Sequence, residues 1–157
     1  MLGAFLAAPW ALSRARTPAG APVVGDTLVL VDAPLLEGGA FRAAEAERKL
    51  VVLYWWASWC PFCAEMSPHI EKLWRAERRR GLEVLGISID ATAEAALEHR
   101  RRRGYTFPSA MATSVQGVLP RPKVIPVLWV RDRGGRVVMA ETGQLFPEDI
   151  EAIARFL

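Results

Sequence analysis

The chain has 157 residues, 52% of them hydrophobic and 24% charged, with a formal net charge of +3. That length suits one domain with enough chain to bury a core, and the composition is that of a globular protein. A charge so small argues against nucleic acid as a partner. The two cysteines fall three residues apart, so they define neither a disulfide framework nor a compartment.

Residues 2–12 form a continuous apolar run ahead of Ser13-Arg14-Ala15-Arg16. Eleven residues fall short of the ~20 that span a bilayer, and no positive charge precedes them. The run is read as a clipped export signal or a membrane tether, the alternative being a hydrophobic tail packed on the domain. The expected division is 1–23 for this segment and its linker, and 24–157 for the folded domain. Leu28-Val29-Leu30-Val31 is expected as a strand, Gly38-Gly39 as a turn and Ala40-Phe41-Arg42 as the returning strand.

Leu50 to Trp56 is apolar, β-branched and aromatic throughout, the pattern of a buried strand. Ala57-Ser58-Trp59 makes a short turn, and then come Cys60-Pro61-Phe62-Cys63. Proline fits the first turn of a helix, where its missing N–H would be unpaired anyway. The spacing therefore places a C-x-x-C pair at a helix N-terminus, where free N–H groups and the macrodipole stabilise negative charge. Thiolate is the nucleophile of disulfide exchange, so Cys60 is expected as the exposed attacking sulfur and Cys63 as the resolving one. A structural disulfide would close too short a loop to constrain the unfolded chain much. A zinc site would need four ligands, with only His69 nearby to help.

The helix opening at Cys60 is expected to reach Arg80, interrupted at Pro68, with Ile70, Leu73 and Trp74 toward the core. Leu82–Asp90 reads as a strand and 92–103 as a second helix. Both helices close on arginines and a glycine, Arg78-Arg79-Arg80-Gly81 and Arg100-Arg101-Arg102-Arg103-Gly104. The arginine runs are read as solvated helix ends, with a patch for acidic partners or anionic lipid as the alternative. His99 is expected exposed and idle, and His69 as an ordinary surface residue. Residues 124–139 read as a hairpin turning at Arg133-Gly134-Gly135, and 146–157 as an amphipathic last helix.

Trp56-Ala57-Ser58-Trp59-Cys60-Pro61-Phe62-Cys63 followed by Pro68 resembles the active-site segment of the thioredoxin superfamily, within it the TlpA/ResA-like bacterial thiol–disulfide oxidoreductases. Ile125-Pro126, then a strand, a turn, a second strand and Gly143, resemble that superfamily's cis-proline loop; Pro122 is the competing position. The resemblance covers residues 24–157. It implies an α/β thioredoxin-like fold, a central mixed sheet flanked by helices, with an N-terminal β-hairpin and an inserted βα unit over residues 82–103. It also implies Cys60 and Cys63 as catalytic residues and Trp59, Pro61, Phe62, Ile125 and Pro126 as the surface that holds the substrate. No metal or organic cofactor is implied, since a Cys60–Cys63 disulfide carries the electrons. The implied setting is the periplasm or another extracytoplasmic compartment. The implied partners are proteins bearing thiols or disulfides, in cytochrome c or copper-centre maturation, and a membrane electron donor. A monomer is expected.

Three positions depart from the pattern. Thioredoxins proper place a buried aspartate where this chain has Tyr54, and ResA-like proteins a glutamate where it has Met66; Glu65, one residue earlier, is rotated by about 100° and expected to be exposed. Strong oxidants carry histidine where this chain has Phe62, so the reduced thiolate loses a hydrogen bond. The potential should then fall from about −120 mV toward about −270 mV, the direction of a reductase. The alternatives are a disulfide-forming oxidant of the same fold or a Cu(I) metallochaperone. A peroxidase would want an isolated cysteine with threonine and proline upstream.

Overall fold

The structure, a computed structural model, describes residues 20–157. The apolar run at 2–12 and most of the expected linker lie outside the described residues. In chain order the elements are β1 (Ala33–Pro34), β2 (Ala40–Phe41), α1 (Ala43–Ala46), β3 (Leu50–Trp56), α2 (Pro61–Glu77), β4 (Leu82–Ser88), α3 (Ala93–Arg103), β5 (Ser109–Met111), β6 (Val127–Arg131), β7 (Val137–Thr142) and α4 (Pro147–Glu151). Short 3-10 turns follow α2, β5 and α4.

β3 is the middle of the five-stranded sheet, ordered β5-β4-β3-β6-β7. It runs parallel to β4, with Leu50 opposite Leu82 and Trp56 opposite Ser88, and antiparallel to β6, with Val51 opposite Arg131 and Trp55 opposite Val127. All seven of its residues are buried, which explains why the sequence shows an unbroken apolar run instead of an alternation. The period-2 geometry still sorts them between two cores. Leu50, Val52, Tyr54 and Trp56 join Met66, Ile70 and Leu73 of α2 and Ile150 of α4. Val51, Leu53 and Trp55 join Leu28, Leu30, Phe41 and Trp129 on the other face, where Trp55 and Trp129 meet edge to face at 5.6 Å. Each such large side chain taken from water contributes roughly 1.5–3 kcal/mol before entropy is counted. The fold is the expected α/β thioredoxin-like one, a five-stranded mixed sheet flanked by helices.

Gly86, in β4 opposite Tyr54, is where the sheet tolerates least. A Cβ there would lie 2.2 Å from Ser109 Oγ and 2.8 Å from the Phe107 ring, so any side chain drives the edge strand β5 away.

The N-terminal hairpin differs from expectation. It is only two residues on each side, pairing Ala33 with Phe41 and Pro34 with Ala40, and Leu28–Val31 is not one of its strands. The earlier stretch lies along the β6–β7 turn. There Thr27 bridges Arg136, Gly25 N–H donates to Val137 C=O, Val137 N–H to Asp26 C=O, and Leu28 N–H to Gly135 C=O. Leu28 and Leu30 are apolar because they cover the second core.

The interruption expected at Pro68 is also absent, since α2 runs continuously from Pro61 to Glu77. Proline removes one helix bond, and the buried face of Cys63, Met66, Ile70 and Leu73 holds the helix across the gap. α3 begins on Thr92, whose Oγ1 accepts the Ala95 N–H at 3.2 Å. It ends at Gly104, whose φ of 71° is the left-handed cap that glycine adopts without a steric cost.

Candidate active site

The turn from β3 to α2 is held by a carboxylate at the end of the neighbouring strand. Asp90 is buried and accepts the Ser58 N–H at 3.1 and 3.2 Å, the Ser58 hydroxyl at 2.6 Å and the Ser88 hydroxyl at 2.7 Å. The Asp90 N–H donates back to Ser88 Oγ at 3.0 Å, and Ile89 N–H closes on Trp56 C=O at 2.9 Å. A charged acceptor makes each such bond stronger than a neutral one, so the turn carrying Trp59 and Cys60 is tied to β4.

Cys60 is the N-cap residue of α2 and Pro61 its first helical residue, as the spacing predicts. The Cys63 N–H donates to Cys60 Sγ at 3.2 Å, and both cysteines are free. One of the otherwise orphaned N–H groups of the helix start therefore points at the first sulfur. Cys60 is not broadly exposed as expected. Only 4% of it is open, while its neighbours Trp59 and Phe62 are 64% and 54% exposed. The Cys60 side chain packs into the first core, and it borders a cavity described below.

Cys63 lies deeper, 1% exposed. Burial first, and then the hydrogen bond with Cys60, push its thiol well above the ordinary thiol range, outweighing the opposing effects of Ala57 N–H and Tyr54. Tyr54 is no proton acceptor: its hydroxyl is 3.2 Å from the Cys63 carbonyl and 3.0 Å from Ser67 Oγ, and burial holds its own proton on. Ser67 Oγ donates to the same carbonyl at 2.7 Å. Met66 is buried, its sulfur accepting Leu145 N–H at 3.4 Å. Glu65 is exposed and hydrogen-bonded to Gln144, as expected from its rotation on the helix.

Ile125–Pro126 is the cis peptide bond among the described residues, so Pro122 is not the counterpart. Val127 pairs with Trp55, which puts Ile125 and Pro126 at the same end of the sheet as the turn leading to Cys60. Pro126 is buried with its C=O taking the Gly143 N–H at 2.8 Å, and Ile125 is half-buried. The N–H and C=O of Ile125 have no hydrogen-bond partner among the described residues.

The second arginine run departs from expectation in two ways. Arg100 is buried, 2% exposed, and donates to Ser109 Oγ at 3.0 Å and Phe107 C=O at 2.7 Å while stacking over the Phe107 ring. His99 is buried as well, packed between Trp56 and Tyr105. Burial, and then the charges of Arg103 and Arg102, lower its pKa against the opposing pull of Asp90. Position three and four residues before the exposed end of α3 turns these two side chains inward. Arg102 and Arg103 remain exposed, and with His99 they line an open cavity of about 490 Å³ whose opposite wall is Ser58, Trp59, Cys60, Pro61 and Ala64.

Sequence reasoning passes over Asp90, takes His99 for an exposed and idle residue, and gives the arginine run a patch for acidic partners only as its alternative. Asp90 carried one usable signal, a carboxylate at the C-terminal end of a parallel strand, where α/β sheets place polar groups that work. Among the described residues no group of three or more His, Cys, Asp or Glu is placed to hold a metal ion.

The architecture and the C-x-x-C at the helix start define a thioredoxin-like α/β protein. A family model described as the AhpC/TSA family matches residues 24–115. The chain is 30% identical over 136 residues to the thiol-disulfide oxidoreductase ResA of Geobacillus kaustophilus, covering 83% of this chain and 76% of that one. With ResA of Geobacillus thermodenitrificans it shares 29% over 121 residues, covering 74% and 67%. Among solved structures, a thioredoxin-family thiol:disulfide interchange protein of Chlorobium tepidum superposes with a TM-score of 0.75 at 20% identity, over 86% of this chain and 97% of that one. StoA from Bacillus subtilis gives 0.66 at 14%, over 79% and 95%. The chain belongs to the AhpC/TSA family and is a homologue of ResA.

Proposed function

We propose that the protein is an extracytoplasmic thiol–disulfide oxidoreductase that reduces disulfides in partner proteins. The observation that carries this reading is the pairing of a helix-start sulfur, accepting the Cys63 N–H, with a second, buried sulfur whose proton is held tightly. Cys60 thiolate attacks one sulfur of a partner disulfide, forming a mixed disulfide and releasing the partner's other sulfur as thiolate. Cys63, losing its proton as the complex forms, attacks Cys60 Sγ and releases the first partner sulfur. The partner gains two electrons and two protons, and the protein is left with a Cys60–Cys63 disulfide. A dithiol donor at the membrane restores it by the same exchange in reverse.

Trp59, Pro61 and Phe62 supply the apolar rim around Cys60, and Ile125 offers its free N–H and C=O to the extended substrate chain beside Pro126. The relatives named ResA support the reaction, and a secreted disulfide oxidoreductase of Mycobacterium tuberculosis with the same fold, at 20% identity, agrees with the compartment. Partners in cytochrome c or copper-centre maturation remain part of the proposal, as does the membrane donor.

The test is the equilibrium potential of the Cys60–Cys63 pair in thiol buffers, read by alkylation of the free thiols. We expect a value between those of strong oxidants and thioredoxin, nearer the latter, because Phe62 offers the Cys60 thiolate no hydrogen bond. A value near −120 mV would sink the reductase reading and leave an oxidant. Cys60→Ser should abolish exchange, and Cys63→Ser should accumulate the mixed disulfide, visible on a non-reducing gel.

A further inference from the structure

We infer that the partner segment reduced at Cys60 carries a carboxylate close to its disulfide, received by Arg102 and Arg103 across the cavity they share with Cys60. The inference deepens the oxidoreductase reading and rests on it.

The cavity has one reactive wall and one charged wall. Cys60, with Ser58, Trp59, Pro61 and Ala64, forms the first, and His99, Arg102 and Arg103 form the second. No carboxylate lines it. Neither guanidinium makes a hydrogen bond or an ion pair among the described residues, whereas Arg42, Arg75, Arg80 and Arg131 all pair with carboxylates. His99 is buried, and the two neighbouring arginines together with burial favour its neutral form, so the recognition charge is that of the arginines. About 490 Å³, open to solvent, has room for a few side chains of an extended segment.

A complement to the negative end of α3 would explain basic residues there, but not why two of them line the cavity of Cys60. Arg101 separates the two explanations. It carries the same charge at the same helix end, is exposed, and does not line the cavity. An arginine fork holds a carboxylate with two parallel bonds, and placed here it would orient the disulfide for attack as well as attract it.

The experiment uses the reduced protein and three disulfide-bridged peptides identical except for Glu, Gln or Lys beside the cysteine. The second-order rate of disulfide transfer is followed by stopped flow. We expect the Glu peptide to react about fivefold faster than the Gln peptide at low salt and the Lys peptide more slowly, the differences shrinking in about 1 M salt. Arg102→Gln with Arg103→Gln should erase the preference among the three peptides, and Arg101→Gln should keep it. Equal rates for the three peptides overturn the inference and leave the oxidoreductase reading standing, as does a preference that survives the double substitution. If no peptide is reduced, both fall. A preference for oxidised glutathione over its ester, with none among the peptides, also overturns it, since the cavity would then serve a small free disulfide.

Discussion

Two arginine runs end two helices of this chain, and the fold puts them to different uses. At the end of α2, Arg78 stacks on Trp74 at 4.9 Å and Arg80 pairs with Glu77 at 2.7 Å, each within its own helix. At the end of α3, Arg100 passes into the protein and braces the Phe107–Ser109 segment, while Arg102 and Arg103 border the cavity of Cys60. Local sequence is nearly the same in both places. What differs is which residue of the run falls on the inward face, and what that face meets.

The sharpest way to break the comparison is to remove the inward member. Arg100→Ala should cost about 2–4 kcal/mol in chemical denaturation, because it empties a buried site and leaves Phe107 C=O and Ser109 Oγ without their donor. A loss under about 0.5 kcal/mol would show that Arg100 is no more structural than its exposed neighbours.

Next in size is Asp90→Asn, beside the same cavity wall. Amide nitrogen cannot accept, so the bonds from Ser58 and Ser88 cannot all be kept, and we expect a loss of about 1–3 kcal/mol with slower alkylation or exchange at Cys60. Stability lost with exchange rates intact would mean that Asp90 does not position the turn.

Acid should separate two groups packed around the inward side of α3, Glu71 of α2 and His99. Burial pushes the Glu71 carboxyl up, but hydrogen bonds from Thr106, Arg75 and Phe107 outweigh it and hold it below its ordinary range. Its folded value is thus the lower one; its contribution is present above the ordinary carboxylate range and is lost as pH falls through the folded value. His99 also has a lowered folded pKa. The unfolded chain binds the proton first, so stability falls as pH drops below about 6.5, before Glu71 titrates. Urea midpoints against pH should therefore decline in two stages, and His99→Gln should remove the upper one. A single stage that His99→Gln leaves unchanged contradicts this.

The smallest effect belongs to the first run. Arg79→Gln should change stability by less than about 0.5 kcal/mol and leave peptide selectivity as it was. Any selectivity change from that position would erase the distinction between the two runs.

Legibility followed the range of the interactions. β3, the turn, the start of α2, the β6–β7 hairpin and Gly104 as a helix cap depend on neighbours in sequence, and all could be read. The Ile125–Pro126 bond was placed by likeness to a known loop, a record of earlier chains and not of local energetics. Leu28–Val31 has the apolar pattern of a hairpin strand, yet the partner of Leu28 is the turn near Gly135, more than a hundred residues on. Likewise nothing beside Asp90 in the sequence announces that its carboxylate caps a turn thirty-two residues earlier. The burial of His99 and Arg100 is hidden in sequence because a run of four arginines looks solvated throughout, although a helix turns each successive residue by about 100°.

Trp59 has an optical consequence. Trp55, Trp56 and Trp129 are at most 2% exposed and Trp74 is half-buried, so Trp59, at 64%, is the most exposed indole among the described residues and the one beside Cys60. Red-edge excitation therefore favours an emitter next to the reacting sulfur. Its emission should move to shorter wavelength when a substrate segment covers the rim, giving a label-free record of docking that can be timed separately from electron transfer.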